Sequence, residues 1–350
     1  MTVFINFLPI IFRYFYSKII LIFIAILYSN TCFSHGISRD DLHTLSKAYG
    51  YMYSRELCAT YIKKHYQNLN NEVDYYNLSW EDRFPALKNN LLKHLQCFGL
   101  TEKQLIASMK AEKKAYNSML SRLPKSENEA LNLLQDYYLR LSEPNEFDKK
   151  IYATFNDVIY NDHPEMEFQR KVNQIQFSTN GHPKSNGINL QISLPSSWLQ
   201  EEGKRPHIVQ KWSKADEDSY LILMITIVEK DQDISNDDFV KAVTNEINSG
   251  QIYDLFGILR DELLSINKAF VTKIEQIPCV YFDANAKVHR LNTTSFSRVN
   301  SLFFPFMNSY ILVNLSIYNS DLNKTNQIFS KYSSLKDMIF NSIVLPQIYY

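Results

Sequence analysis

The chain has 350 residues, long enough for two domains, and its 45% hydrophobic content is ordinary for a globular protein. Lys and Arg number 37 against 37 Asp and Glu, so there is no net field to steer nucleic acid or anionic lipid, and the balance speaks against a nucleic-acid partner. Only eight glycines are present and none forms a phosphate-cradling loop, which argues against a nucleotide fold; no cofactor is expected.

The first 34 residues contain no Asp or Glu, carry Arg13 and Lys18, and then run apolar from Ile19 to Tyr28, the length of a secretory h-region. Small residues at Cys32 and Ser34 place cleavage before His35. Residues 1–34 therefore read as a signal peptide and the protein as periplasmic or secreted. The extra apolar run Val3 to Phe12 keeps a membrane-anchored form as the alternative, with membrane contact through this segment only. Asn30 and Thr31 are poor company for a lipid-modified Cys32.

Residues 35–145 read as an all-helical domain. Leu42, Leu45, Tyr49, Met52 and Tyr53 recur at helical spacing, and Leu57, Tyr61 and Ile62 resume the pattern before the Asn-rich break at 68–71. A short helix spans about 71–84, with Pro85 forcing a kink or restart, and Leu87 to Cys97 is closed by Gly99. Thr101 with Gln104 forms a capping box ahead of Leu105, Ile106, Met109, Tyr116, Met119 and Leu120; Ser126 with Glu129 caps another helix. The pairs Arg55 with Glu56 and Asp82 with Arg83 read as solvated charges on helix faces.

Residues 146–169 read as a linker holding one helix, Glu146 to Tyr160, and 170–350 as a second, strand-dominated domain. Ile188, Leu190, Ile192 and Leu194 alternate with polar residues as a one-face-buried strand stopped by Pro195, and the Ile-rich run Tyr220 to Val228 suits a central strand; together they predict a sheet nucleus. The stretch Glu201 to Asp218 between them reads as a charged loop. Ser235 with Asp238 starts a helix ended by Gly250. Strands near 270–274, 278–282, 290–299 and 310–318 then predict an antiparallel meander, closed by a helix with Ile328, Tyr332, Leu335, Met338 and Ile339 on its apolar face. The fold class is α+β, an all-helical domain followed by an antiparallel sheet sandwiched by helices.

The Leu194-Pro195-x-x-Trp198 strand end, the central strand, the Tyr310-Ile-Leu-Val-Asn-Leu-Ser316 run and the final Phe340-Asn-Ser-Ile-Val-Leu345 helix end resemble the PsbP and Mog1-like family of α/β/α sandwiches over about residues 170–346. The resemblance implies a binding or assembly module without a catalytic centre, and it carries no site residues onto this chain.

Once the leader is removed, Cys58, Cys97 and Cys279 remain. In an oxidising compartment Cys58 and Cys97, in the same helical region, are the pair to bridge; the alternative is three separate core cysteines. His163, Glu165 and Glu167 alternate and would share one face of an extended strand, but Pro164 and their place in the linker favour a solvated polar segment over a metal set. Cys279 would need His289, ten residues on across a hairpin, to act as a nucleophile, and its apolar neighbourhood argues for an inert thiol. Phe303, Phe304 and Phe306 lie on both faces of any strand; a closed sandwich would bury them, and an open one would make them a surface for a protein partner or hydrophobic ligand. The function expected is therefore an exported, non-catalytic binding or assembly protein, with an envelope enzyme using Cys279 and His289 as the alternative.

Overall fold

The structure, a computed structural model, describes residues 39–111, 117, 120–121, 123–216, 218–256, 258–290 and 293–349. The expected signal peptide, Tyr116 and Met119 lie outside them. The chain divides after Asn161 into two compact units.

The first unit is helical: α1 Arg39–His65, α2 Asn70–Arg83, α3 Leu87–Cys97, α4 Glu102–Ala111, α5 Glu127–Ser142 and α6 Glu146–Tyr160. The starts of α4, α5 and α6 are set by side chains that satisfy the free N–H groups of a first turn. The Gln104 amide donates to Thr101 Oγ1 at 3.3 Å while Gln104 Oε1 accepts from the Thr101 amide at 2.9 Å. The Glu129 amide donates to Ser126 Oγ at 3.2 Å, and Asn145 Oδ1 accepts the amides of Phe147 and Asp148. Gly99, with φ of 73°, supplies the left-handed residue that ends α3. Pro85 sits in the tight turn between α2 and α3. The core joins Ala48, Met52, Ala59 and Ile62 of α1 with Val73, Tyr76, Phe84, Leu91, Leu134, Tyr152 and Phe155.

The helix expected at Glu146–Tyr160 is α6, and the second unit starts with a further short helix, α7 Pro164–Gln169. A two-stranded sheet follows, β1 Gln174–Ser178 against β2 Gln191–Pro195. The main sheet has seven strands: β3 Leu199–Glu202, β4 Ile208–Asp216, β5 Ser219–Glu229, β6 Leu263–Ile274, β7 Ile277–Arg290, β8 Thr293–Phe306 and β9 Ser309–Asn319, in the order 3-4-5-9-8-7-6. Every pairing is antiparallel, and β6 to β9 form the expected meander. Two expectations are corrected. The strand stopped by Pro195 pairs with β1, not with the Ile-rich strand, and the charged stretch 201–218 holds β3 and β4 rather than a loop.

Helix α9, Leu322–Asn341, packs across β5, β8 and β9 and against α7 and β2. Leu221, Leu223, Ile225 and Ile227 of β5 and Ile311, Val313, Leu315 and Ile317 of β9 point into that layer, the larger core of this unit. On the other face, α8 Asn236–Ser249 and the 3-10 turn Ile252–Phe256 cover β6 and β7, burying Phe239, Val243, Val280, Phe282 and Val299. Beyond α8, the same face leaves Tyr220 and Val228 of β5 exposed, so the central strand is dry on one side only.

Candidate functional site

In the helical unit, Ala48, Met52, Arg55, Ala59 and Ile62 follow one another at four- and three-residue steps along α1, all buried. Arg55 thus occupies a core position and is 3% exposed, which corrects its reading as a solvated surface charge. Its guanidinium lies 4.3 Å from the Tyr137 ring centre, 4.6 Å from Tyr51 and 5.4 Å from Trp80, within reach of the attraction between a cation and an aromatic face. Nη1 donates to Tyr76 Oη at 3.3 Å and to the Tyr137 carbonyl at 3.5 Å, and Nη2 donates to Tyr51 Oη. Among the described residues Nε finds no partner.

Burial pushes the phenols of Tyr51, Tyr76 and Tyr137 above their ordinary range, so each is a neutral hydroxyl that solvates the cation without cancelling its charge. The nearest carboxylate in the network is one step removed. Tyr51 Oη donates to Asp148 Oδ1 at 2.6 Å, and Asp148 is already held by Arg140 at 3.2 Å. Among the described residues no carboxylate makes an ion pair with Arg55.

Arg55 lines a groove of about 480 Å³ between α1, α2 and the start of α3. Met52, Ala59, Val73, Tyr76, Trp80 and Leu87 give it an apolar floor, and Lys63, Lys64, Lys88, Glu56 and Glu81 its rim. An apolar concavity with a few polar groups in fixed positions is the usual build of a binding site. The signal that locates it in the sequence is the phase of Arg55 on the α1 stripe; its neighbour Glu56 hides that phase, because adjacent opposite charges look like a surface pair.

The sheet unit buries charges too. Glu167 of α7 is 3% exposed and accepts from the Ser197 amide at 2.9 Å, Ser197 Oγ at 2.7 Å and Ser196 Oγ at 3.2 Å. Desolvation raises its carboxyl to about 7 against the pull of those donors. His163, Glu165 and Glu167 lie around the short helix α7 instead of along a strand: His163 is exposed, 3.5 Å from Glu165, while Glu167 turns inward. On β4, burial lowers Lys214 to about 8, and Asp216 beside it accepts from Lys331 of α9 at 2.6 Å. On β7, Asp283 takes two bonds from Arg298 of β8, at 3.0 and 2.9 Å, and the guanidinium lies 3.6 Å from the centre of the Phe329 ring.

The other predicted residues fall as follows. Phe304 is fully buried and Phe306 is 9% exposed, both in the core beneath α9; Phe303 packs on the opposite face against Phe239, Phe256 and Tyr310. Phe304 and Phe306 are therefore core, and Phe303 is partly buried against the core of the other face. Cys279 and His289 lie on one strand, β7, ten residues apart, roughly 33 Å at the rise of a β-strand, so they cannot form a catalytic pair. Burial pushes the Cys279 thiol up to about 12, and His289 is exposed, 3.1 Å from Thr294 Oγ1. Cys58 is a free thiol in the helical core, raised by burial; the Cys97 side chain lies outside the described residues, and the bridge between them is not shown. Among the described residues no cluster of three metal-ligating side chains occurs, and no helix is long and apolar enough to cross a membrane.

No family model and no curated protein matches the chain. Among solved structures, it is similar to LpqN of Mycobacterium tuberculosis, a protein involved in cell envelope biogenesis, at 7% identity over 52% of this chain and 96% of that one, with a TM-score of 0.30. It is also similar to the Saccharomyces cerevisiae Ran-binding protein Mog1p, at 10% identity over 49% of this chain and 95% of that one, with a TM-score of 0.29.

Proposed function

We propose that the protein is exported and acts without catalysis, as a binding or assembly protein whose ligand or partner enters the groove of the helical unit. The observation that carries this reading is the joining of an apolar floor to a buried cation in one concavity. Export is supported by the acid-free first 34 residues with their apolar run.

The test is titration with the neutral apolar dye N-phenyl-1-naphthylamine. Binding should saturate at one site per chain and quench Trp80, which lines the groove, while Trp198 and Trp212 are buried in the other unit. Thr60→Trp, at an exposed position on the rim, should fill the groove and abolish the signal without lowering Tm. Dye binding that Thr60→Trp leaves intact refutes the site. For export, N-terminal sequencing of the mature protein should begin at or near His35; recovery of Met1 in a cytoplasmic fraction refutes it.

A further inference from the structure

We infer that the groove takes a small amphipathic carboxylic acid, its acid group against Arg55 and its apolar body along Val73, Tyr76, Trp80 and Leu87. The inference rests on reading the groove as a binding site and names the chemistry of its occupant. A guanidinium taken out of water is costly to the fold unless an anion and a full set of acceptors replace its hydration. Here the acceptors are three neutral oxygens, two phenols and one carbonyl, while Nε is left unpaired. Among the described residues the counter-charge is supplied through Tyr51, by an Asp148 that Arg140 already holds. A second arginine in this unit shows the difference: Arg140 is paired with both Asp136 and Asp148.

The rim points the same way. The groove is lined by four cations and two carboxylates, and neither carboxylate is turned to Arg55. Glu56 faces Lys88 at 3.4 Å, and Glu81 accepts the amide of Ala86 at 2.9 Å. Lys63 is paired with Asp74, whereas Lys64, exposed at the mouth, makes no ion pair among the described residues. A planar guanidinium fork recognises a carboxylate by two parallel bonds. The floor beyond it is aliphatic and aromatic, which suits a hydrocarbon body and not a second charge. A volume of about 480 Å³ admits one short acyl or aryl chain and no folded partner.

The experiment uses the full chain and two probes of equal length, decanoate below its micellar range and decan-1-ol below its solubility limit, displacing N-phenyl-1-naphthylamine at pH 7. Decanoate is expected to displace the dye at a concentration at least tenfold lower than the alcohol. Equal displacement by both overturns the acid assignment and leaves the groove as an apolar binding site; displacement by neither overturns both. Arg55→Met should erase the tenfold preference of acid over alcohol. If that variant fails to fold, the two probes on the unaltered chain decide alone, joined by Lys64→Ala, for which the preference should fall severalfold. An apolar peptide that displaces the dye through its free C-terminal carboxylate more tightly than decanoate overturns the small-acid assignment.

Discussion

Glu167 and Ser197 stand thirty residues apart in sequence and share two hydrogen bonds, one from the amide at 2.9 Å and one from the hydroxyl at 2.7 Å. The Leu-Pro-Ser-Ser-Trp segment is thereby pinned at the end of β2: Pro195 ends the ladder, the serines clasp the α7 carboxylate, and Trp198 enters the core.

The burial of Glu167 makes stability depend on pH, with the clasp opposing part of the effect. Folded Glu167 keeps its proton up to about 7, whereas the ordinary value is 4.5. Its contribution is full below pH 4.5 and is lost as the pH rises through 7, about 3 kcal/mol from a shift of this size. Urea unfolding at pH 5 and pH 8 should show that loss in the natural protein. Glu167→Gln, which cannot ionise, should remove most of the difference.

Lys214 acts in the opposite sense at higher pH. Burial lowers it to about 8 from 10.5, against the attraction of Asp216 and with help from Lys331. The depressed value favours the neutral amine in the fold, so stability from this group is present above pH 10.5 and is lost as the pH falls through 8. Unfolding midpoints at pH 8 and pH 10 should rise in the natural protein more than in Lys214→Met.

The Asp283–Arg298 pair is a buried ion pair across β7 and β8. Asp283→Ala should cost about 3–5 kcal/mol, because it leaves Arg298 against Phe329 without its counter-charge. The double change Asp283→Ala with Arg298→Met should recover much of that loss in denaturant titration, a coupling that two independent sites would not show.

Phe304 and Met307 test the place of the aromatic run. Phe304→Ala should cost about 3–5 kcal/mol, since the ring is wholly buried beneath α9. Met307→Ala, in the turn after β8 and 57% exposed, should change stability by no more than about 0.5 kcal/mol. Equal costs at the two positions contradict the packing described.

What the sequence discloses of this fold is local. Thr101, Ser126 and Ser235 mark helix starts because a cap is made by residues three apart, and the β6–β9 meander shows because each turn joins neighbours. The strand β4 is hidden for two physical reasons. A bulge between Ile208 and Gln210 breaks its alternation, and Lys214 and Asp216 point inward, where Asp216 accepts from Lys331, a partner 115 residues away that cannot be read from the strand itself. Pairing partners are equally non-local, so the alternation of β2 predicts a strand but not which sheet it joins. Arg55 and Glu167 read as solvated because charge outweighs phase in a linear reading, and only their surroundings show that both face inward.

The strand order carries a consequence for how the protein is made. One edge of β5 is filled by β4, which precedes it, but the other is filled by β9, with Tyr220 opposite Tyr318 and Glu229 opposite Ser309. Synthesis proceeds at about 5–20 residues per second, so the partner edge arrives roughly 80 residues and some 4–16 s after β5 itself. Throughout that interval a strand of Leu and Ile presents a free hydrogen-bonding edge to whatever chain is near. Slow translation between Glu229 and Ser309 should therefore favour aggregates, and an early-binding chaperone should raise yield more than any stabilising change in the finished fold.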